Sequence, residues 1–213
     1  MPVGATFGGN QDALVVDSAN PTTLYVATQS HGILKSTNSG VSFAPVNAGL
    51  AANLEGADAL VSISRVNPNV LFAALRYGGH ADGRLYRSAN GGVAWADITA
   101  NIGATGAATR IRSVATDPAD VNTLYLVTAD GVYKSTTGGN TFTRPNTSFT
   151  DSARALEIDP TNTDILYLAR NAQDALGQVQ AASGVYRSAD GGVSYTQLLP
   201  GSTAQRVALV RNG

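Results

Sequence analysis

The sequence predicts an all-β protein, a β-propeller built from four-stranded antiparallel blades. One eight-residue phrase occurs four times, beginning 47 to 53 residues apart at Ser36, Ser88, Ser135 and Ser188. Short β-rich runs separated by Gly, Pro, Asn and Asp fill the intervals. No segment keeps the 3.6-residue apolar period of an amphipathic helix. A four-stranded meander repeated every ~40–50 residues is typical of a propeller blade.

The third repeat shows the four strands most simply, because it carries no large insertion. Its predicted strands are residues 111–116, 123–128, 132–135 and 141–143. Turn residues separate them: Asp117 with Pro118, then Gly131, then Gly138 with Gly139. The other three repeats align with this one strand by strand.

The repeats divide the chain into blades of one domain, a propeller or part of one. The predicted blades are residues 12–50, 59–103, 111–149 and 153–200, and residues 205–211 match the first strand of a further blade. Three explanations of this count stay open. The chain is a piece of a longer repeat protein, two chains complete one ring, or four blades close alone. An open edge at residues 207–210 would favour self-association.

The repeated phrase resembles the Asp-box, or BNR repeat, with the pattern Ser/Thr-x-Asp-x-Gly-x-Thr/Ser-Trp/Phe. The matching positions are Ser36, Asn38, Gly40, Phe43, Ser88, Asn90, Gly92, Trp95, Ser135, Thr137, Gly139, Phe142, Ser188, Asp190, Gly192 and Tyr195. Such repeats occur in sialidases, sortilin-type receptors, xyloglucan-active glycoside hydrolases and Ycf48-like assembly factors. The resemblance implies a structural turn between the third and fourth strands of each blade, followed by an aromatic residue buried between blades.

Three of the four copies depart from the pattern at the Asp position. Asp190 is the sole carboxylate, and Asn38, Asn90 and Thr137 stand in the other copies. Asn can make the same short turn bonds, but Thr does so less well, so the third turn is expected to be looser. Because a hard cation requires carboxylates, we expect no metal in these turns, and we expect no cofactor.

Composition excludes several classes of partner and leaves the location open. The net charge is −1 and 14% of the residues are charged, so no general attraction to nucleic acid is expected. No apolar run is long enough to span a membrane, so no membrane insertion is expected. The sequence has no cysteine, few lysines and no visible signal peptide. Its richness in Ala, Thr, Ser, Asn and Gly favours an extracellular or periplasmic location, with the cytoplasm as the alternative.

One face of the predicted propeller gathers the candidate binding residues. Each first strand starts at the face that also carries the loops between second and third strands, and two of these loops, 76–83 and 171–183, are enlarged. Arginine occupies one equivalent first-strand position in three successive repeats, which predicts an anion pocket near the axis, as in the arginine triad of sialidases. The alternative is that each arginine pairs locally. The binding candidates are Arg112, Arg154, Arg206, Asp12, Tyr77 and His80.

Catalytic residues are weakly indicated. A glycosidase needs two carboxyls about 5–9.5 Å apart, and the candidates on this face include Glu55, Asp58 and Asp82. The sequence therefore favours a non-enzymatic scaffold that binds a protein, a carbohydrate or an anionic ligand. A sialidase-like or xyloglucanase-like glycoside hydrolase, or a fragment of one, is the alternative. The second alternative is a structural repeat unit of a larger surface assembly.

Overall fold

A computed structural model describes residues 14–29, 31–51, 57–77, 83–103, 110–147, 153–173, 176 and 178–204, apart from the side chains at 57, 58, 76 and 77. Among these residues a 3-10 helix at Thr99–Ile102 is the one helix. None of the described segments is a helix long and apolar enough to cross a membrane. The predicted extra strand at 205–211 lies outside the described residues.

The strands form four separate antiparallel sheets, each following chain order from first strand to last. Blade 1 contains β1 (Leu14–Val16), β2 (Leu24–Thr28), β3 (Gly32–Ser36) and β4 (Ala44–Pro45). Blade 2 contains β5 (Ala57–Ile63), β6 (Leu71–Tyr77), β7 (Gly83–Ser88) and β8 (Ala96–Asp97). Blade 3 contains β9 (Ile111–Thr116), β10 (Leu124–Thr128) and β11 (Val132–Ser135). Blade 4 contains β12 (Ala153–Ile158), β13 (Leu166–Arg170), β14 (Gly184–Ser188) and β15 (Thr196–Pro200).

Blade 3 has three strands rather than four. The segment predicted as its fourth strand, residues 141–143, is reduced to one bridge between Thr143 and Lys134. Backbone hydrogen bonds of 2.8 Å in both directions hold this bridge. The outer edge of blade 3 is therefore shorter than the other three edges.

The core consists of apolar layers between neighbouring blades. Since side chains alternate across a strand, each sheet has two faces, and both can be apolar. Tyr25 of blade 1 packs with Leu71 and Trp95 of blade 2. Similar clusters join blades 2 and 3, and blades 3 and 4. Among the described residues no such cluster joins blade 4 to blade 1.

The four repeated phrases form one kind of turn, here called the repeat turn (residues 36–43, 88–95, 135–142 and 188–195). In each, the first Ser accepts a hydrogen bond at its Oγ from the glycine N–H four residues later, at 2.9–3.0 Å. The side chain two residues after that Ser accepts the N–H of the residue four positions beyond itself. These short-range bonds satisfy part of the backbone of a tight turn within the turn itself.

The expected loosening of the third repeat turn is not seen in its hydrogen bonds. The Thr137 hydroxyl accepts the Thr141 N–H at 2.9 Å, the distance found for Asn90 and Asp190 in their turns. A hydroxyl oxygen reaches the same point in space as an amide or carboxylate oxygen here, so the exchange preserves the turn.

In blades 2, 3 and 4 the aromatic residue that ends the repeat turn faces the preceding blade. Trp95 is 5% exposed and donates its indole N–H to the Val46 carbonyl at 2.7 Å, which confirms its place in the core. Tyr195 is half-buried, and desolvation raises the pKa of its hydroxyl. Phe43 of blade 1 is also half-buried, and no described blade precedes it.

Candidate binding face

Strand register places the starts of the first strands beside the loops between second and third strands. Ala57 lies opposite Tyr77 in blade 2, and Ala153 lies opposite Arg170 in blade 4. The chain continues from Arg170 into the enlarged loop 171–183. We call this end of the blades the strand-start face, and its described parts are Arg112, Arg154, Arg170 and the loop around residues 171–183.

Three arginines of this face surround the backbone of Ala153. Arg112 at the start of β9 crosses to blade 4 and donates Nη1 to the Ala153 carbonyl at 2.7 Å. Arg154 is the next residue along β12, and Arg170 pairs with Ala153 across the sheet. The guanidinium is always ionised, and two of the three, those of Arg112 and Arg170, are held by backbone carbonyls of blade 4.

Each arginine has a different hydrogen-bonding role. Arg112 links blade 3 to blade 4, which is the local pairing foreseen as the alternative to an anion pocket. Arg170 donates Nη1 to the Ala182 carbonyl of the enlarged loop at 3.3 Å. Arg154 has a buried Nε with no hydrogen-bond partner among the described residues. A buried donor of this kind is stabilised when an anion supplies the acceptor.

Arg170 is not among the residues predicted from the sequence, because the arginines were compared only at the starts of the first strands. The alignment of the second strands contains a signal for it: blades 1 and 3 end this strand with a threonine, Thr28 and Thr128, and blade 4 ends it with an arginine. Those threonines bind their own short turns through Oγ1, at 3.0 and 3.1 Å. An arginine at this place in blade 4 reaches across a longer loop.

The described part of the loop 171–183 is held by its own hydrogen bonds. Ser183 is fully buried, accepts the Ala172 N–H at 2.8 Å and donates its hydroxyl to the Ala172 carbonyl at 2.6 Å. Gln197 of β15 donates to the Ala181 carbonyl at 2.7 Å. The two ends of the loop are therefore fixed to each other and to β15. Leu176 stands 84% exposed on this loop.

Most other predicted site residues lie outside the described part of the molecule. The undescribed binding candidates are Asp12, His80 and Arg206, and the undescribed catalytic candidates are Glu55 and Asp82. For two more candidates the backbone alone is described, and both belong to blade 2: Asp58 in β5 and Tyr77 at the end of β6.

Several described carboxylates are used as turn acceptors. Asp17, Asp117 and Asp159 each accept backbone N–H groups two and three residues further on. Hydrogen bonds from Thr161 lower the pKa of Asp159, and those from Ser194 lower the pKa of Asp190 to about 2. The pKa values of Asp159 and Asp190 are thus lowered, whereas the general acid of a glycosidase needs a raised pKa. Within the described ranges no three His, Cys, Asp or Glu side chains cluster as metal ligands.

A concavity lies at the other end of the first strands. This axial cleft has a volume of about 660 Å³, which is within the usual size of ligand pockets, about 300–1,000 Å³. It is lined by first strands of all four blades and by the turns that follow them. Charged residues on its wall include Asp17, Arg65 and Glu157. The sequence predicts these turns opposite the candidate face and does not indicate the cleft.

Comparison with known proteins identifies the fold. No protein-family profile matches the chain, and no curated protein does. Among solved structures, an ancestral GH74 enzyme matches with 24% identity and a TM-score of 0.69 over 89% of this chain. The GH74 xyloglucanase from Xanthomonas campestris matches with 18% identity and a TM-score of 0.66 over 89%. YCF48 from Cyanidioschyzon merolae matches with 13% identity and a TM-score of 0.62 over 89%.

These structures confirm the prediction of an all-β propeller of antiparallel blades. The chain spans 26% of the ancestral enzyme, 30% of the xyloglucanase and 56% of YCF48. At this level of identity the likeness concerns the fold, because one propeller scaffold carries many unrelated functions. The neighbours include glycoside hydrolases and other propellers.

Proposed function

We propose that this chain is a non-enzymatic binding scaffold whose strand-start face holds an anionic group of a protein or carbohydrate partner. The observation that carries the proposal is the set of three arginines around Ala153, beside the loop 171–183. Guanidinium groups bind carboxylate and phosphate through planar, often bidentate hydrogen bonds. Loops held on a rigid scaffold are the usual place of binding sites.

Two described carboxylates serve the turns rather than a general acid. Asp159 and Asp190 are ionised turn acceptors, and neither has the raised pKa of a general acid. The GH74 neighbours favour the rival, a glycoside hydrolase or a piece of one, with Glu55, Asp58 and Asp82 as its candidate carboxyls. We further propose that the chain belongs to the Asp-box repeats and works outside the cytoplasm, as its repeat turns and composition indicate.

Isothermal titration with citrate, a tricarboxylate, tests the binding proposal. We expect saturable heat that weakens with added salt, because the contact is between opposite charges. Arg154→Gln and Arg170→Gln should each weaken citrate binding by about tenfold or more, while Arg65→Gln, in the axial cleft, should not change it. The absence of citrate binding, or an equal loss in all three variants, would contradict the proposal.

An assay for new reducing ends tests the rival directly. The 213-residue chain is incubated with xyloglucan, and the Glu55→Gln and Asp82→Asn variants serve as comparisons. We expect no release by any of them. Release by the wild-type chain that either variant abolishes would establish hydrolysis and displace the scaffold proposal.

A further inference from the structure

A tyrosine and a lysine of one blade clamp the repeat turn of the next blade. At the joint between blades 1 and 2, the Tyr25 hydroxyl and the Lys35 ammonium both donate to the Gly91 carbonyl, at 2.9 and 3.0 Å. Nζ of Lys35 also lies over the Tyr25 ring, 5.1 Å from its centroid. The shared acceptor lies within the repeat turn of blade 2, so the pair fixes one blade on the other.

The joint between blades 3 and 4 repeats this arrangement. Tyr125 donates its hydroxyl to the Gly191 carbonyl at 3.2 Å, and Nζ of Lys134 lies 5.3 Å from the ring centroid of Tyr125. The tyrosine and the cation pair across the sheet in both blades, Tyr25 with Lys35 and Tyr125 with Lys134. The clamp therefore occurs at two of the three joints between the described blades.

The preceding blade also covers the repeat turn that it clamps. The two glycines at the centre of the turn are buried in blades 2, 3 and 4: Gly91, Gly92, Gly138, Gly139, Gly191 and Gly192. In blade 1 the equivalents are uncovered, since Ser39 is exposed and Gly40 is half-buried. Leu24 is half-buried too, whereas its equivalents Leu71, Leu124 and Leu166 are fully buried.

The uncovered turn of blade 1 nevertheless keeps the conformation of the covered ones. Ser39 has a φ of 58°, close to 65° at Gly91 and 65° at Gly191, and is the sole described non-glycine residue with positive φ. Its N–H donates to Thr22 at 2.9 Å, as the Gly91 N–H donates to Asn69. A left-handed serine is costlier than a glycine. The Ser39 carbonyl is thus oriented like the clamped carbonyls of Gly91 and Gly191.

Among the described residues, blade 4 carries the clamp residues without a turn to bind. Tyr167 and Arg187 pair across the sheet at the positions of Tyr25 and Lys35. Both are half-buried, and among the described residues neither side chain makes a hydrogen bond. Leu199, on the same face, is 51% exposed. One outer face of the blade stack presents donors, and the other presents the matching acceptor.

We propose that blade 4 of one copy of this chain docks head to tail on blade 1 of a second copy, with Tyr167 and Arg187 donating to the Ser39 carbonyl. A second copy supplies a matching acceptor, because its blade 1 carries a left-handed repeat turn at Ser39. A heterologous contact of this kind closes into a ring when its rotation allows. Two copies would give an eight-bladed ring, within the usual range of about 4–8 blades.

Sedimentation velocity of the 213-residue chain over a range of concentrations tests the interface. We expect a reversible dimer of twice the 21.8 kDa chain mass. The double variant Tyr167→Phe with Arg187→Glu should raise the dimer dissociation constant at least about tenfold, because both donors are lost. Arg65→Glu makes the same charge change away from both outer faces and should remain dimeric. Circular dichroism checks that each variant is folded.

Mixing two defective variants tests the head-to-tail arrangement. Leu24→Arg disrupts the outer face of blade 1 and leaves that of blade 4 intact. The double variant Tyr167→Phe, Arg187→Glu disrupts the outer face of blade 4 and leaves that of blade 1 intact. Each alone should be monomeric, and the mixture should form a dimer through its one intact pair of faces. A wild-type chain that is monomeric at every concentration, or a mixture that stays monomeric, would overturn the proposal. A wild-type monomer in which Tyr167 resists nitration would assign the face to residues 205–213 instead.

Discussion

The joints on either side of blade 2 hold equivalent turns by different means. Between blades 1 and 2, Tyr25 and Lys35 clamp the turn carbonyl of Gly91. Between blades 2 and 3, Phe72 and Arg87 occupy those positions, and the phenylalanine has no hydroxyl to donate. The turn of blade 3 is bound instead by Asn101, which follows blade 2 in the 3-10 helix and donates to the Gly139 carbonyl at 3.0 Å.

The difference shows which part of the joint is fixed and which part is exchangeable. An aromatic ring fills the joint in both cases, and Tyr25 and Phe72 are 2% and 0% exposed. The polar contact moves between segments, from a strand residue to a helix residue. Burial of the ring contributes more free energy than one hydrogen bond, so the ring is the common element.

Removing the ring should have the largest effect, and a similar one at both kinds of joint. Tyr125→Ala and Phe72→Ala each leave a cavity between blades, so we expect a loss of about 3–5 kcal/mol in the free energy of unfolding. Urea denaturation of both variants measures it. Val66→Ala, at a 48% exposed position, should stay within about 0.5 kcal/mol of wild type. A loss at one joint alone would contradict a common role for the ring.

Removing the cation should lower the free energy of unfolding at one joint and not at the other. Lys35→Met deletes a hydrogen bond and a cation–ring contact, so we expect a loss of about 1 kcal/mol. Arg87→Met should change the unfolding free energy by less than about 0.5 kcal/mol, since Nε of Arg87 has no partner among the described residues. The urea midpoints of the Lys35→Met and Arg87→Met variants measure the two changes. Equal losses would mean that the arginine holds the joint as the lysine does.

The smallest expected effect is on the pH dependence of stability. It should differ between the turns clamped by Tyr25 and Tyr125, because only the second carries a carboxylate. The turn of blade 2 carries Asn90, and the turn of blade 4 carries Asp190, whose pKa is lowered to about 2 by hydrogen bonds from Ser194. A lowered folded-state pKa adds stability that is present above the unfolded value of 3.8 and is lost as the pH falls through about 2. Asp190→Asn should reduce this acid-induced loss.

Urea midpoints of wild type and Asp190→Asn between pH 5 and about 2 measure the effect. The two curves should converge as the pH falls, because the wild-type carboxylate becomes protonated. Asp159→Asn is a useful comparison, since hydrogen bonds from Thr161 lower the pKa of that carboxyl in another turn. Parallel curves for wild type and Asp190→Asn would show that this side chain does not contribute to the pH dependence.

Local patterns in the sequence were sufficient for the blades and their turns. Alternating apolar residues and Gly–Asn–Asp punctuation predicted strands such as β10 and β13, because these signals act between neighbours along the chain. The core position of Trp95 also followed from its place in the repeat. The shortened edge of blade 3 did not, since pairing at Thr143 depends on a partner strand rather than on local propensity.

The binding face was predictable only in part. Equivalent positions in the first strands singled out Arg112 and Arg154, yet Arg170 joins them through a pairing across the sheet. That Arg112 binds the backbone of blade 4 follows from the distance between two blades, which no repeat alignment contains.

The sequence by itself determined the repeat, the turn chemistry and the alternation that gives each blade two apolar faces, because these depend on residues close together in the chain. Tertiary structure alone decided which turns are covered and which donors find an acceptor. Ser39 and Gly91 occupy the same place in the repeat, but only Gly91 is buried and clamped. The physical reason is that burial and hydrogen-bond satisfaction depend on the neighbouring blade, and the repeat is the same whether or not that neighbour is present.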